Sequence, residues 1–569
     1  MGIQMLKNTF IIAVIAVILL TTNVVLASSE LESLNFNITQ LDEILQGEAG
    51  FTATSTAWSP DGQYLLVTCS KPISTSNNII KHYLLDINSH TFGEINYGIK
   101  ELNSYSIPKA EWSPSGDKIY FKVSRFAGPT DSGNCYIVCN PDGTNLRGVG
   151  TNFTDISNII NNLGSIGSQN NLKWSPDSSK IVLDWEKPGD ISSGIYVTNG
   201  NGTNAGELRS EAREPTWYDS SKLLFVTTDE GTVVLANDSG DLIQTFQPEN
   251  KDEKYVRFSL SPDKEKIIFI STVGNGLFQT YISNADGSNL KKYIFDIDGS
   301  LLTESIAGTW QPNGSLLLVN RNESLYVIEG DENNKRLLHE SNASEPQWFP
   351  DGKKILFVEN ENKLYSIDVD GTNLSFITNF GLTSSYFWSY FNEVKQFSIS
   401  PSGDIIAFTS ALDPATGKII ENEPDPSTRQ SVSAPLLIIN SDGSNFTQVT
   451  PKIKGKYDIF GKWNLNKKEF TIESVLFSRN NDLSYVGSSL VELNAMNSSS
   501  TWKNMPIKEI IGTEESNTID KVQSNASNST NTSQVSEHKE TSNQSPSFLF
   551  LQLFTCIMGI WLLHKSREI

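Results

Sequence analysis

One phrase, an aromatic or aliphatic residue followed by Ser-Pro-Asp-Gly, returns along the chain and limits what it can fold into. It stands as Trp58-Ser-Pro-Asp-Gly62, Trp112-Ser-Pro-Ser-Gly116, Trp174-Ser-Pro-Asp-Ser178 and Trp217-Tyr-Asp-Ser-Ser221. Further copies are Leu260-Ser-Pro-Asp-Lys264, Trp310-Gln-Pro-Asn-Gly314, Trp348-Phe-Pro-Asp-Gly352 and Ile399-Ser-Pro-Ser-Gly403, with Trp463-Asn-Leu-Asn-Lys467 a faint further candidate. Ser, Pro, Asp and Gly suit the four positions of a type I turn, proline presetting φ and glycine closing it. β-rich runs follow, such as Tyr64-Leu-Leu-Val-Thr68, Lys118-Ile-Tyr-Phe-Lys122 and Lys266-Ile-Ile-Phe-Ile270. The turn therefore reverses the chain between two strands, and the residue ahead of it points into a core.

A second phrase lies downstream in most repeats: Pro141-Asp-Gly-Thr-Asn-Leu146, Ala285-Asp-Gly-Ser-Asn-Leu290, Val369-Asp-Gly-Thr-Asn-Leu374 and Ser441-Asp-Gly-Ser-Asn-Phe446. Asp-Gly between β runs marks a hairpin, because its turn needs positive φ. Each repeat reads strand, turn, strand, loop, strand, turn, strand. Such four-stranded units repeated around an axis make an all-β propeller. Eight blades are expected, with seven the next choice. Either residues 31–50, including Phe36-Asn-Ile-Thr, or the segment 459–505 could close the ring by sharing a blade.

The paired phrases resemble the TolB-type, WD-repeat-like β-propeller repeats, over roughly residues 50–460. The same repeats occur in the propeller domains of dipeptidyl-peptidase and prolyl-oligopeptidase enzymes. Those enzymes owe catalysis to a separate hydrolase domain with a Gly-x-Ser-x-Gly elbow. No such pentapeptide occurs here, which excludes serine hydrolase chemistry.

The ends address the chain. Lys7, the apolar run Phe10 to Leu20 and Val25-Leu-Ala27 read as a signal peptide over 1–27, an uncleaved anchor being the alternative. Residues 28–50 form a lead-in, 51–505 the propeller, and 506–547 a stalk rich in Ser, Thr and Asn that cannot bury enough apolar surface to fold. Residues 548–569 carry an apolar run to Leu563, then His564, Lys565 and Arg567, as a transmembrane or sorting segment. This ending resembles archaeal Pro-Gly-Phe sorting signals. Here the motif position reads Ser545-Pro-Ser-Phe548, without the glycine, so retention as a plain membrane helix stands beside cleavage and lipid transfer. Both readings place the protein outside the cell, anchored at its C-terminus.

Exposure outside the cell gives meaning to the Asn-x-Ser/Thr sequons. They begin at Asn37, Asn152, Asn201, Asn237, Asn313, Asn322, Asn342, Asn373, Asn445, Asn497, Asn525, Asn528, Asn531 and Asn543. The formal net charge of −21 repels phosphates, which excludes nucleic acid as a partner.

Catalytic and metal-binding patterns are sparse. His82 and His90 flank a strand and read as surface histidines rather than a metal pair; His339 stands alone. Asp368-Val-Asp370-Gly371 lacks the spacing of an EF-hand, and turn chemistry accounts for it. Cys135 and Cys139 lie about 13 Å apart along one strand, too far to bond. Pairing of either with Cys69 and burial as free thiols are both open. No cofactor, metal or catalytic residue is expected. Specificity is sought in the insertions Lys71 to Lys81, Arg125 to Asn134, Thr151 to Asn171 and Leu412 to Pro435, and in the aromatic cluster Tyr386-Phe-Trp-Ser-Tyr-Phe391. The expected function is binding of an envelope protein or polysaccharide. The alternative is a propeller enzyme, a metal-assisted polysaccharide lyase or a hydrolase, with its site at the channel mouth.

Overall fold

The computed structural model describes residues 36–511, apart from short interruptions and the longer segments 294–307, 380–396 and 411–433. The signal, the stalk beyond Ile511, the C-terminal apolar segment and the aromatic cluster lie outside the described residues, whereas Ile507–Ile510, expected to begin the stalk, form a short helix. Among those described, no helix is long and apolar enough to cross a membrane.

The strands pair antiparallel in chain order into four-stranded blades. Seven sheets carry one blade each, and an eighth sheet is double, two blades joined by a single parallel pairing of Ser168 with Asn134. Nine blades result among the described residues, one more than expected. The extra one is built on the faint phrase at Trp463. Its strands run Lys456–Trp463, Glu469–Phe477 and Leu483–Leu493, and Phe36–Gln40 from the N-terminal lead-in pairs as its outer strand. Both segments named as alternatives for closure thus serve in one blade, 9, which packs against blade 1 (Thr52–Trp58, Tyr64–Ser74, Asn77–Asp86, Thr91–Glu94).

The phrase turn forms for reasons visible in its residues. Gly62 N donates to Ser59 O at 2.8 Å, Ser59 Oγ donates to Asp61 Oδ1, and Tyr64 N donates back to Ser59 Oγ at 2.9 Å. Where serine replaces the aspartate, Asp117 and Asp404 one turn later accept the serine bond instead. In the second phrase Gly143 N donates to Asn140 O and Asp142 Oδ1 accepts from Thr144 N, both at 2.9 Å. Gly143 sits at φ 83°, and a Cβ there would strike the backbone of Asn96 in blade 1. The turn leans on the preceding blade that closely.

The phrase tryptophans do more than fill the core. Five of the indoles reach back one blade, to the residue just ahead of the previous phrase. Trp112 Nε1 donates to Ala57 O at 3.1 Å, Trp217 to Lys173 O at 3.0 Å and Trp348 to Thr309 O at 3.0 Å. Trp310 donates to Ser259 Oγ at 3.0 Å, its leucine-bearing neighbour supplying a side chain instead. Trp58 donates to Lys462 O at 3.2 Å, so the same contact joins blade 1 to blade 9 and closes the ring. Trp174 and Trp463 leave this nitrogen without a protein partner.

The C-terminal end of the described chain is stapled to blade 1. Lys503–Asn504 runs parallel to Thr91–Glu94 as an added outer strand, and Ile510 packs into the core between blade 1 and blade 2 (Glu111–Trp112, Ile119–Arg125, Gly133–Cys139, Arg147–Gly148).

Candidate functional site

The first strands of blades 3, 4 and 5, and of blade 7 (Ala343–Trp348), carry charged side chains: Lys173, Arg213 with Glu214, Lys254 with Arg257, and Glu345. Blade 3 comprises Ser168–Trp174, Lys180–Glu186, Gly194–Asn199 and Gly206–Arg209; blade 4 begins with Ala212–Trp217 and blade 5 with Lys254–Leu260. In blades 3 and 4 the first strand carries one residue more than its partner, between Asn170 and Lys173 and between Arg213 and Thr216. The same bulge recurs in blade 7 between Ser344 and Gln347. A bulge re-aims the side chain that it carries. The residues involved, Asn171, Glu214 and Glu345, all stand three positions ahead of the phrase tryptophan, at φ 49°, 55° and 50°. A non-glycine residue there costs about 1–3 kcal/mol, and such strain clusters at functional positions.

A polar network spreads from these bulges across blades 2 to 5. Lys122 Nζ donates to Asn170 Oδ1 at 2.9 Å and lies over the Tyr136 ring. Asn171 Nδ2 donates to Asp184 Oδ2 at 2.5 Å, and Lys173 Nζ to Thr216 Oγ1 of the next blade at 2.9 Å. Glu214 Oε1 meets Arg257 Nε at 3.5 Å, while Arg213 Nη2 donates to Val256 O at 3.4 Å. Asp184 is 5 % exposed, and burial pushes its carboxyl up to about 6, against the hydrogen bonds from Asn171 and the Glu214 amide. Burial likewise lowers the Lys122 ammonium and raises Glu345. Asp184 Oδ1 and Arg213 Nε have no protein partner. A buried acceptor or donor left without a partner is costly unless something polar completes it.

The sequence-based candidates fall elsewhere. Cys69, Cys135 and Cys139 are buried free thiols, and burial pushes Cys135 up to about 12. His82 is fully buried rather than superficial: its Nδ1 lies 2.6 Å from the Tyr97 hydroxyl and its ring packs on Phe121. His90 packs on Trp502, and His339 Nε2 lies 3.0 Å from Glu359 Oε1. Asp370 Oδ1 accepts from Thr372 N and Oγ1 within its own turn. No group of three His, Cys, Asp or Glu converges on a metal-sized site among the described residues.

Of the sequons, Asn152, Asn201, Asn313, Asn342 and Asn373 are exposed; Asn37, Asn237 and Asn445 are half-buried. Asn322, Asn497, Asn525, Asn528, Asn531 and Asn543 lie outside the described residues. The Thr151 to Asn171 insertion is packed instead of open. Its helices Ile156–Asn161 and Leu163–Ile166 bury Ile156, Ile159, Leu163 and Ile166, and Trp185 Nε1 donates to Ile166 O at 2.8 Å. Much of the Arg125 to Asn134 and Leu412 to Pro435 insertions lies outside the described residues.

The charged wall escaped sequence reading because attention began at the phrase itself. A signal existed: Arg213-Glu-Pro-Thr-Trp217 and Ser344-Glu-Pro-Gln-Trp348 repeat Glu-Pro just upstream of the tryptophan.

No family model matches the chain, and no curated protein matches it. Among solved structures it is similar to a putative TolB from Agrobacterium tumefaciens, at 16 % identity over 52 % of this chain and 95 % of that one, with a TM-score of 0.22. The oligogalacturonate lyase of Vibrio parahaemolyticus gives 11 % identity over 66 % and 94 %, with a TM-score of 0.33. The tricorn protease gives 13 % over 80 % of this chain and 46 % of that one, at 0.27, so this chain spans less than half of that protein. The assignment of the fold rests on the strand pairing above.

Proposed function

We propose that this protein is a binding propeller displayed outside the cell, held by its C-terminal segment, that engages an envelope polysaccharide or protein over the charged wall of blades 2 to 5. One observation supports the reading most: Asp184 Oδ1 and Arg213 Nε, an acceptor and a donor with no protein partner, lie in a cross-blade network of amides, carboxylates and cations. Such a surface suits a ligand rich in hydroxyl and charged groups, which can complete those bonds. Pull-down of envelope polysaccharide and protein by the full-length chain, compared with its Glu214→Gln and Asp184→Asn variants, tests it. Equal capture by all three would sink the reading.

A second reading has its own support. A carboxyl raised to about 6 beside another carboxylate is how acid–base catalysts are tuned, and Asp184 with Glu214 has that form. On this reading the protein cleaves a polysaccharide at the wall, with Asp184 moving the proton. Appearance of reducing ends or unsaturated products, lost in Asp184→Asn, would favour it over binding alone.

A further inference from the structure

Away from the axis, a cleft of about 630 Å³ opens between blades 2 and 3. Its residues come from the start of a second strand (Lys118), the Asp-Gly turn of blade 2 (Asn140, Asn145, Arg147) and the matching turn of blade 3 (Asn201, Thr203). We propose that this cleft is a second binding site, for an anionic sugar of one or two rings.

Charge argues first. Acidic residues outnumber basic ones 65 to 44 in the chain, yet two cations and no carboxylate line this cleft. Of the lysines that open second strands in other blades, Lys222 pairs within its own turn with Asp219, while Lys180, Lys266 and Lys354 reach beyond theirs. Lys266 donates to Asn284 at 2.7 Å, Lys354 lies 3.9 Å from Asp368, and Lys180 pairs with Asp238 of the next blade. Lys118 meets only its neighbour Asp117, which is itself exposed and so holds it weakly. Arg147 spends one guanidinium nitrogen, Nη1, on Thr151 O at 3.0 Å. Its remaining donors suit a carboxylate or phosphate.

Size and lining argue for a sugar over a simple ion. The volume matches ligand pockets rather than an inorganic anion. Val138 and Leu146 offer an apolar surface for the C–H face of a ring, while the amides and hydroxyls suit its hydroxyl groups. The frame is fixed before any ligand arrives. Asn140 Nδ2 donates to Thr144 Oγ1 at 2.9 Å, Thr203 Oγ1 to Asn201 Oδ1 at 2.6 Å, and Gly150 N to Gly202 O of the next blade at 2.8 Å.

Calorimetric titration of the full-length chain with glucuronate, glucose 1-phosphate and glucose tests the proposal. At least one anionic probe should bind about tenfold or more tightly than glucose, and the tighter of the two names the anionic group. Arg147→Gln and Lys118→Gln should each weaken that binding about tenfold, with thermal midpoints near wild type. Lys353→Gln, which removes an exposed cation far along the chain from this cleft, should leave it unchanged. Glucose binding as tightly as both anions, undiminished binding when Lys118 and Arg147 are both replaced, or no binding of either anion at about 10 mM overturns it.

Discussion

Two junctions between blades are rich in polar side chains, and they are built to opposite ends. Where blade 9 meets blade 1 the buried side chains that cross are hydroxyls and amides bonded to their neighbours. Nearer the surface, Asp42 accepts from Ala53 N and Lys467 donates to Asn88 Oδ1, both at 2.7 Å. Thr56 Oγ1 donates to Thr471 Oγ1 at 2.8 Å, Ser488 Oγ to Ala53 O at 3.0 Å, and the buried Asn464 donates to Gly62 O at 2.9 Å. Where blade 3 meets blade 4 the groups are charged, the backbone is bulged at Asn171 and Glu214, and Asp184 and Arg213 keep atoms without protein partners. Hydroxyls and amides that satisfy one another fasten a seam at modest desolvation cost. Charges left partly unpaired destabilise the fold and stay available to a ligand. Polarity at a blade junction is therefore no guide to function until its bonds are followed.

The contrast can be broken most forcefully at the seam. Leu490 of blade 9 is fully buried in a core shared with Ala53, Leu65 and Leu85 of blade 1. Leu490→Ala should cost about 2–5 kcal/mol in denaturant unfolding, whereas Glu214→Gln should cost under about 1 kcal/mol. Comparable losses at both positions would end the distinction between fastening and function.

Asp184 sharpens it next. Its folded carboxyl is raised to about 6 from an ordinary value near 3.8, so the folded state binds the proton more tightly than the unfolded chain. The site therefore weakens stability as pH rises from about 4 to about 6, and the penalty is complete above that. Asp184→Asn should be more stable than the native chain at pH 7, and its stability should rise less steeply on acidification through that window. Thermal melts at a series of pH values read both effects. A variant less stable at pH 7 would make Asp184 a fastening residue.

The smallest effect tests the tryptophan ladder. Trp112→Phe removes an indole hydrogen bond, so it should cost about 1 kcal/mol more than Trp174→Phe, whose indole nitrogen has no protein partner. Equal costs from chemical denaturation would mean that the ladder contributes packing alone.

How much of this was legible in the sequence follows from how local each cause is. The phrase turn was readable because its bonds run among neighbours: Ser59, Asp61, Gly62 and Tyr64 make the turn without help from elsewhere. Packing of the phrase tryptophans on the core followed from the same pattern, although only Trp217, Trp348 and Trp463 are buried outright. Their donation to the preceding blade did not follow from it. The ninth blade was hard to see because Trp463-Asn-Leu-Asn-Lys467 lacks the Ser-Pro-Asp-Gly residues, its Asn464 bonding Gly62 across the seam instead. His82 looked superficial by type and is buried, since Tyr97 supplies the hydrogen-bond partner that a buried imidazole needs.

The repeated strand-turn-strand unit and the net negative charge belong to the sequence by itself, because turn chemistry and strand propensity act over a few residues. Which blade accepts the N-terminal strand, which polar groups are left unpaired along the channel, and where Lys118 and Arg147 meet are tertiary outcomes. They depend on side chains brought together from blades far apart in the chain, and local rules carry no record of such meetings.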